Sequence, residues 1–478
     1  MGRGREGPAA AVSAAKKAEV VVVMVPFPAQ GHLNQMLHLS RLLAEHGGVT
    51  VHFAGSATHN RQARVRLNSW ELDTFVNIRF HDLPIPPFPS PKPDPNTSVK
   101  FPSHLQPSFE ASLQLQAPLG SLLRSLSATS RRIAVVHDSL MSFAAEEASL
   151  IPNGEAYVFH SVSAFALLHY LWAARGKAGG GRSLAALPLL PIDGCFTAEF
   201  VDFIRQQYQR TPPPAGRLFN TCRDLEGEFV DLLTLEPSLR GKNYFALGPF
   251  NPVGLARSTR RHRPLLRWLD AQPPESVVYV SFGTTSSMPD RQIRELAAGL
   301  ERSGQRFIWV LRDADRGDIF AAAGDGGGTE DRCQLPAGFE KRVADVGVVV
   351  RDWAPQLDIL GHRSTALFLS HCGWNSCMES LSMGVPVAAW PMHSDQPRNA
   401  LLLTELLKVG VPVQDWRRRE ETVPSAAVEA AIRRVMATGE GKEIRKRAQA
   451  VGATIRSSVS EGGASCDELQ SLISYITR

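Results

Sequence analysis

Short apolar runs alternate along this chain with stretches whose apolar residues fall at helical spacing. Residues 20–25 read VVVVMV, an unbroken run of the kind expected for a strand buried on both faces. A turn, Pro26 to His32, follows, and Leu33, Met36, Leu37, Leu39 and Leu43 then repeat with a helical period. Residues 49–55 (VTVHFAG) read as the second strand. Residues 84–107 are proline-rich and predict a long irregular loop. Strands are expected again at 133–136 and 155–159, the second leading into a helix with Phe165, Leu168, Tyr170 and Trp172. Residues 176–193 read as a flexible connection, and 217–220 and 244–247 close the first half.

Residues 248–264 contain Pro, Gly and Arg without periodicity, and the alternation restarts beyond them. Strands are expected at 277–282, 307–311, 348–351, 366–370, 386–390 and 411–413, and helices at 291–303, 398–407 and 425–437. Gly324 to Gly328 fall in a loop, and the last 20 residues are helical in pattern. Such alternation predicts an α/β chain of two doubly wound, Rossmann-like domains facing a cleft. The expected division is a tail at 1–19, a first domain at 20–250, a linker at 251–264, a second domain at 265–457, and a helix at 458–478 packing back on the first domain.

The densest stretch is Trp353 to Gln396, patterned strand, turn, helix, strand, loop. Gly373 permits a tight turn, Asn375 and Ser376 suit an N-cap, and Gly384 ends the helix before Pro386. A strand feeding a helix N-terminus gathers unpaired N–H groups in one place, which suits an anion such as phosphate. A dinucleotide fold would want GxGxxG in the first turn and an acidic residue ending the second strand; neither is present.

Composition narrows the field further. The 478 residues exceed one typical core, and 43% hydrophobic with 21% charged is an ordinary globular balance. The net charge of +5 sits partly in local runs at 260–263 and 417–419, with no basic stripe of interleaved aromatics, so nucleic acid is not an expected partner. Cysteines 195, 222, 333, 372, 377 and 466 lack metal or redox spacing and read as reduced thiols of a cytoplasmic protein. The Asn96-Thr97-Ser98 sequon is then silent. The first 19 residues lack an apolar signal core, and no run approaches the ~20 apolar residues of a membrane span.

Ligands of parallel sheets bind beyond the carboxyl ends of the strands. There the second half offers Gly283 to Ser286, Asp352, Trp353, His371 to Ser376 and His393 to Gln396, and the first half Gln30, Gly31, His32, Asp138 and Ser161. A planar indole, a helix N-terminus, a histidine and hydroxyls together suit a nucleoside diphosphate. Glu379, one turn into the helix, suits a ribose diol, and Asp395-Gln396 suits sugar hydroxyls. His32, beside a strand end, suits a general base, with Asp138 from a neighbouring strand end to orient it. Singly, each has a plain reading too: Glu379 as a surface charge, His32 as a turn residue, Asp138 as a cap. Asp313-Ala314-Asp315 has the form of a metal-diphosphate DxD but lies in an acidic loop, and no metal is expected.

Together the motifs WAPQ, HCGWNS, the following Glu379, GVP and the closing Asp395-Gln396 resemble the signature box of plant family-1 UDP-sugar glycosyltransferases. The resemblance runs from about Val20 and includes PFPAQGH, VVHDS at 135–139 and VYVSFGT at 278–284. VPFPAQGHLNQMLHLSRLLA, HDSLMSFAAEEA and PMHSDQPRNA are similar to the zeatin O-glucosyltransferase subfamily; His393-Ser394 replaces an apolar pair common in the wider family.

The resemblance implies the GT-B fold and inverting transfer of glucose from UDP-glucose to a hydroxyl of a small plant metabolite. A cytokinin such as cis- or trans-zeatin comes first, flavonoids or other phenolics are the alternative, and UDP-xylose is an alternative donor. A non-catalytic UDP-sugar-binding protein is the remote alternative. By the resemblance Trp353 stacks on uracil, with Ala354 and Gln356 near the uridine. Glu379 holds the ribose, and Thr284, Ser286, His371, Gly373, Asn375 and Ser376 surround the diphosphate. Trp374, Asp395 and Gln396 meet the sugar, with Ser161 at its 6-hydroxyl, and His32 is the base with Asp138 behind it. Phe27, Phe88, Phe101, Phe143, Phe165 and His393 are the expected acceptor pocket, with packing as the plainer reading of Phe88 and Phe101. The UDP-sugar is a co-substrate, no cofactor is implied, and a monomer is expected.

Overall fold

A computed structural model describes residues 19–45, 49–66, 77–176, 189–210, 212–239, 243–254, 263–321 and 334–478. The expected tail up to residue 18, most of the 176–193 connection, the centre of the linker with Arg260 to His262, the Gly324–Gly328 loop and Cys333 lie outside the described residues.

Among these residues the strands form two sheets. The first contains β1 (Val20–Val25), β2 (Val49–Ser56), β3 (Ile78–Leu83), β4 (Arg132–Asp138), β5 (Gly154–His160), β6 (Gly216–Phe219) and β7 (Tyr244–Ala246), in the order β3-β2-β1-β4-β5-β6-β7. The second contains β8 (Val277–Ser281), β9 (Arg306–Val310), β10 (Gly347–Val350), β11 (Thr365–Ser370), β12 (Val387–Ala389) and β13 (Gly410–Pro412), in the order β10-β9-β8-β11-β12-β13. The pairings are parallel in both, and the order reverses beside β1 and β8. This is the expected pair of doubly wound, Rossmann-like domains.

β1 explains how period-2 alternation builds two cores at once. Val20, Val22 and Met24 face Leu33, Met36 and Leu37 of helix α1 (Gln30–Ala44), together with Leu472, Ile473 and Ile476 near the carboxyl end. Val21, Val23 and Val25 face Phe101, Phe109, Leu119 and Phe200. Each such side chain, buried fully, contributes about 1.5–3 kcal/mol. The carboxyl-terminal helix Ala464–Thr477 thus lies on the first sheet, and Ser465 Oγ donates to Gly248 O at 2.6 Å.

Several elements escaped the periodicity. β3 and the helices Gln106–Ser112, Gln116–Ser127, Phe143–Ser149, Ala198–Arg210 and Arg223–Thr234 were not expected. The predicted loop at 84–107 gives way to 3₁₀ and α helix from Ser103 onward. Pro107 sits in the first α turn, where its missing N–H has no intrahelical partner to lose. The expected helix at 398–407 is an α-helix at Gln396–Leu401 followed by a π turn at Leu402–Leu406.

Candidate active site

The carboxyl ends of β1, β4, β5, β8, β9 and β11 converge on one cavity of about 820 Å³. α1 begins at one side of it. On the other side the helix Trp374–Met383 begins directly after β11. The two helix starts touch across the cleft, where Asn375 Nδ2 donates to Gly31 O at 2.8 Å. Trp374 Nε1 donates to Asn220 O at 2.8 Å, so the indole N–H is committed to holding the domains together.

Asn375 and Ser376 are not the caps that the sequence suggested. Gly373 is the N-cap, and no side chain caps this helix. Asn375 is spent on the other domain, while Ser376 Oγ accepts from Gln356 Nε2 at 3.1 Å. The first-turn N–H groups therefore keep no side-chain partner, which preserves the anion-binding character of the helix start.

His32 Nδ1 lies 2.7 Å from Asp138 Oδ2, with Asp138 fully buried at the end of β4 and His32 lining the cavity. A carboxylate only accepts, so Nδ1 carries a proton, and in the neutral ring the free lone pair is that of Nε2. The other carboxylate oxygen accepts from Leu140 N at 2.9 Å, which fixes the plane of the group.

On the opposite wall His371 is buried, and burial lowers its pKa to about 4. The imidazole is neutral and can offer an N–H but no charge. Its ring lies between two glycines: a Cβ at Gly283 or at Gly373 would come within 2.6 Å of Nε2. Gly283 also has a left-handed φ of 75°. Glu379 is buried, and burial pushes its carboxyl up to about 7 against the lowering effect of the Gln356 hydrogen bond, 2.6 Å to Oε2. Tyr279 OH donates to Gln356 Oε1 at 3.1 Å and completes that chain. Asp395 Oδ2 accepts from Asn399 Nδ2 at 2.7 Å, and Gln396 Oε1 accepts from Met392 N at 2.8 Å and His393 N at 3.0 Å. Burial lowers the His393 pKa to about 3; its Nε2 lies 3.3 Å from Thr285 Oγ1.

Thr284, Trp353, Ala354, Gln356, His371, Gly373, Trp374, Asn375, Ser376, Glu379, Asp395, Gln396, Ser161, His32, Phe27, Phe101 and His393 all line this cavity. Five other expected site residues need separate comment. Asp138 stands behind His32. Ser286 is off the cavity wall. Phe88 stacks on His59 at 5.9 Å, Phe143 is in the core with Met141 and Ala144, and Phe165 packs on Phe229 at 5.2 Å. All three phenylalanines face neighbouring elements and do not line this cavity. In their place Phe196, Phe200, Ile204 and Tyr208 line it, four residues apart, from the helix Ala198–Arg210 and the turn before it. That spacing is a signal the sequence carried. Arg312, two residues beyond β9, also lines the cavity; the same strand-end rule would have found it.

Arg312 and Arg66 meet at Asp315. Arg66 makes a two-point ion pair with Asp315 (Nη2 to Oδ1 at 2.7 Å), and Arg312 pairs with the same carboxylate. The Arg66 guanidinium also stands 5.1 Å from the Trp353 ring centre and donates to Gln30 Oε1 at 3.0 Å. The pair clasps the first domain to the second beside the indole. Arg66→Ala is expected to weaken UDP binding about tenfold through the lost clasp and cation–π contact. Titration calorimetry checks this; unchanged affinity would separate the clasp from nucleotide binding.

Two facing Rossmann-like domains, sharing one cavity between their strand ends with a helix start on each side, define a GT-B glycosyltransferase. The family model of the glycosyltransferase N-terminal domain matches residues 18–252. That of UDP-glucoronosyl and UDP-glucosyl transferase matches residues 256–444. The chain is 50% identical to zeatin O-glucosyltransferase of Phaseolus lunatus over 96% of this chain and 97% of that one. It is 48% identical to zeatin O-xylosyltransferase of Phaseolus vulgaris over 96% and 98%. A UGT transferase of Siraitia grosvenorii, solved in complex with UDP, superposes with a TM-score of 0.75 at 30% identity, covering 96% and 100% of the two chains. The chain belongs to the UDP-glycosyltransferase family.

Among the described residues no helix is long and apolar enough to cross a membrane, and no group of three His, Cys, Asp or Glu is placed to hold a metal ion.

Proposed function

We propose that this enzyme transfers glucose from UDP-glucose, with inversion, to a hydroxyl of a small acceptor, a zeatin-type cytokinin first. The observation that carries this reading is the His32–Asp138 pair on one wall of a cavity whose other wall is the Trp353–Gln396 box. The high identity to relatives named for zeatin O-glucosyl and O-xylosyl transfer supports the acceptor class. Residues 20–250 form the acceptor half and 265–457 the donor half in this reading. One chain supplies both halves, which suits a monomer, and the free described cysteines suit the cytoplasm.

The acceptor hydroxyl lies against His32 Nε2, which takes its proton as the oxygen attacks the anomeric carbon. The bond from that carbon to the diphosphate breaks, and UDP leaves toward the helix start at Trp374. Asp138 stabilises the imidazolium that forms. On the donor side Trp353 stacks on uracil, Glu379 takes the ribose hydroxyls, and Thr284, His371, Asn375 and Ser376 meet the diphosphate. His371 is neutral, so the helix N-terminus and Arg312 supply the positive potential. Asp395, Gln396 and Ser161 orient the sugar.

The test is a screen of UDP-glucose and UDP-xylose against cis-zeatin, trans-zeatin and flavonols, read by mass. A gain of one hexose on zeatin is expected. UDP binding without transfer to any acceptor would leave a UDP-sugar-binding protein instead.

Glu379 makes donor binding pH-dependent. Ribose hydroxyls donate to the ionised carboxylate, so binding favours the ionised form of a group that titrates at about 7 in the free protein. Affinity for UDP-glucose, which has no ionisation of its own in this range, should rise about tenfold from pH 6 to pH 8. Glu379→Gln should flatten the profile, as calorimetry at both pH values would report. His371 and His393 stay neutral throughout this window.

A further inference from the structure

A helix of the donor half holds a wall of the acceptor half. The helix Gln396–Leu401 starts at the expected sugar-binding pair, Asp395 and Gln396, and carries Arg398 on its first turn. Arg398 is completely buried, at 0% exposure. A buried guanidinium is costly unless it is well partnered, and here the partners come from the other domain. Nη2 donates to Leu190 O at 2.8 Å, Nη1 lies 3.5 Å from Cys195 Sγ, and the guanidinium carbon stands 3.7 Å over the centre of the Tyr170 ring. Ser394, just ahead of the pair, adopts a left-handed φ of 55° and donates its N–H to Cys195 O at 2.8 Å. The segment from Leu190 to Cys195 is thus held at three points by the donor domain. Pro191, Ile192, Phe196 and Tyr170, which lie on or beside it, line the apolar side of the cavity.

We propose that Arg398 is the positioning residue of the acceptor wall. It sets the 190–196 segment and the Tyr170 ring in place and thereby governs which acceptors fit, without touching the donor. Only a planar cation can use two directional N–H groups and a stacking face together; a lysine ammonium cannot. The proposal rests on the assignment of this cavity half to the acceptor.

The test compares the full-length wild type with Arg398→Lys, both saturated with UDP. Amide hydrogen exchange in residues 189–197 should become at least about tenfold faster in the variant, while the helix Trp374–Met383 keeps its protection. The acceptor KM should rise roughly tenfold, with UDP affinity held within about twofold. Unchanged exchange at 189–197, or an equal loss of UDP affinity, would overturn the proposal. Should Arg398→Lys fail to fold, Tyr170→Leu removes the stacking partner from the other side and is read by the same exchange measurement. A wild type that glycosylates no acceptor would defeat the proposed function, while the exchange result would still decide the role of Arg398.

Discussion

His32→Ala is expected to lower turnover by about 10²–10⁴-fold, the usual contribution of a positioned general base. An alcohol is a poor nucleophile until its proton begins to leave, and His32 is the cavity residue whose proton-accepting nitrogen is kept free by a buried carboxylate. The same variant should bind UDP-glucose within about twofold of the wild type, since the donor wall comes from the other domain. The ring makes one packing contact of note, with Phe27 at 5.0 Å, but its loss also leaves the buried Asp138 Oδ2 without its donor, which should cost about 1–3 kcal/mol of stability. Turnover and calorimetry on one preparation separate these outcomes. Near-normal turnover would remove His32 from the chemistry.

How much of this was legible in the sequence depends on the kind of signal. β1 and β11 were readable because strands buried on both faces are continuous apolar runs, and the elements around them followed from spacing. β3 was not, although Ile78, Arg79, Phe80 and His81 alternate, because the alternation breaks at Asp82 and four residues are the least that the period can be read from. The Trp353–Gln396 box was legible as a set of residue types, but not their state. Nothing in HCGWNS says that His371 is buried to neutrality between Gly283 and Gly373, or that the Trp374 indole is tied to Asn220.

Aromatic identity misled at Phe88, Phe143 and Phe165, because a residue name does not say which face of its element meets a cavity. Phe165 sits on a helix that buries both Phe165 and Leu168 in the core. Position within a period was the better guide, as Phe196, Phe200, Ile204 and Tyr208 show. The clasp between Arg66 and Asp315 spans 249 residues, and no local pattern could announce it. It also gives the DxD-like Asp315 a plain role, as the shared partner of two guanidiniums.

Asp138→Asn should be nearly as damaging as loss of the base, by about 10³–10⁴-fold in turnover, the scale seen when a buried carboxylate behind a catalytic histidine is replaced by its amide. The reason is geometric. Asp138 Oδ1 already accepts from Leu140 N at 2.9 Å, so an asparagine here keeps its oxygen toward that N–H and turns its NH₂ toward His32. Nδ1, 2.7 Å away, must then accept rather than donate, and the ring proton moves to Nε2. The nitrogen that should take the acceptor proton becomes a donor, with shape and packing preserved. The ¹⁵N signals of the His32 ring should report the exchanged tautomer directly. Because both residues act through one proton transfer, the double variant His32→Ala/Asp138→Asn should lose no more than about threefold beyond His32→Ala alone. Two independent losses that multiply would mean that Asp138 serves the fold rather than the base. A loss below about tenfold in Asp138→Asn, with the tautomer exchanged, would show that Nε2 of His32 is not the atom that takes the proton.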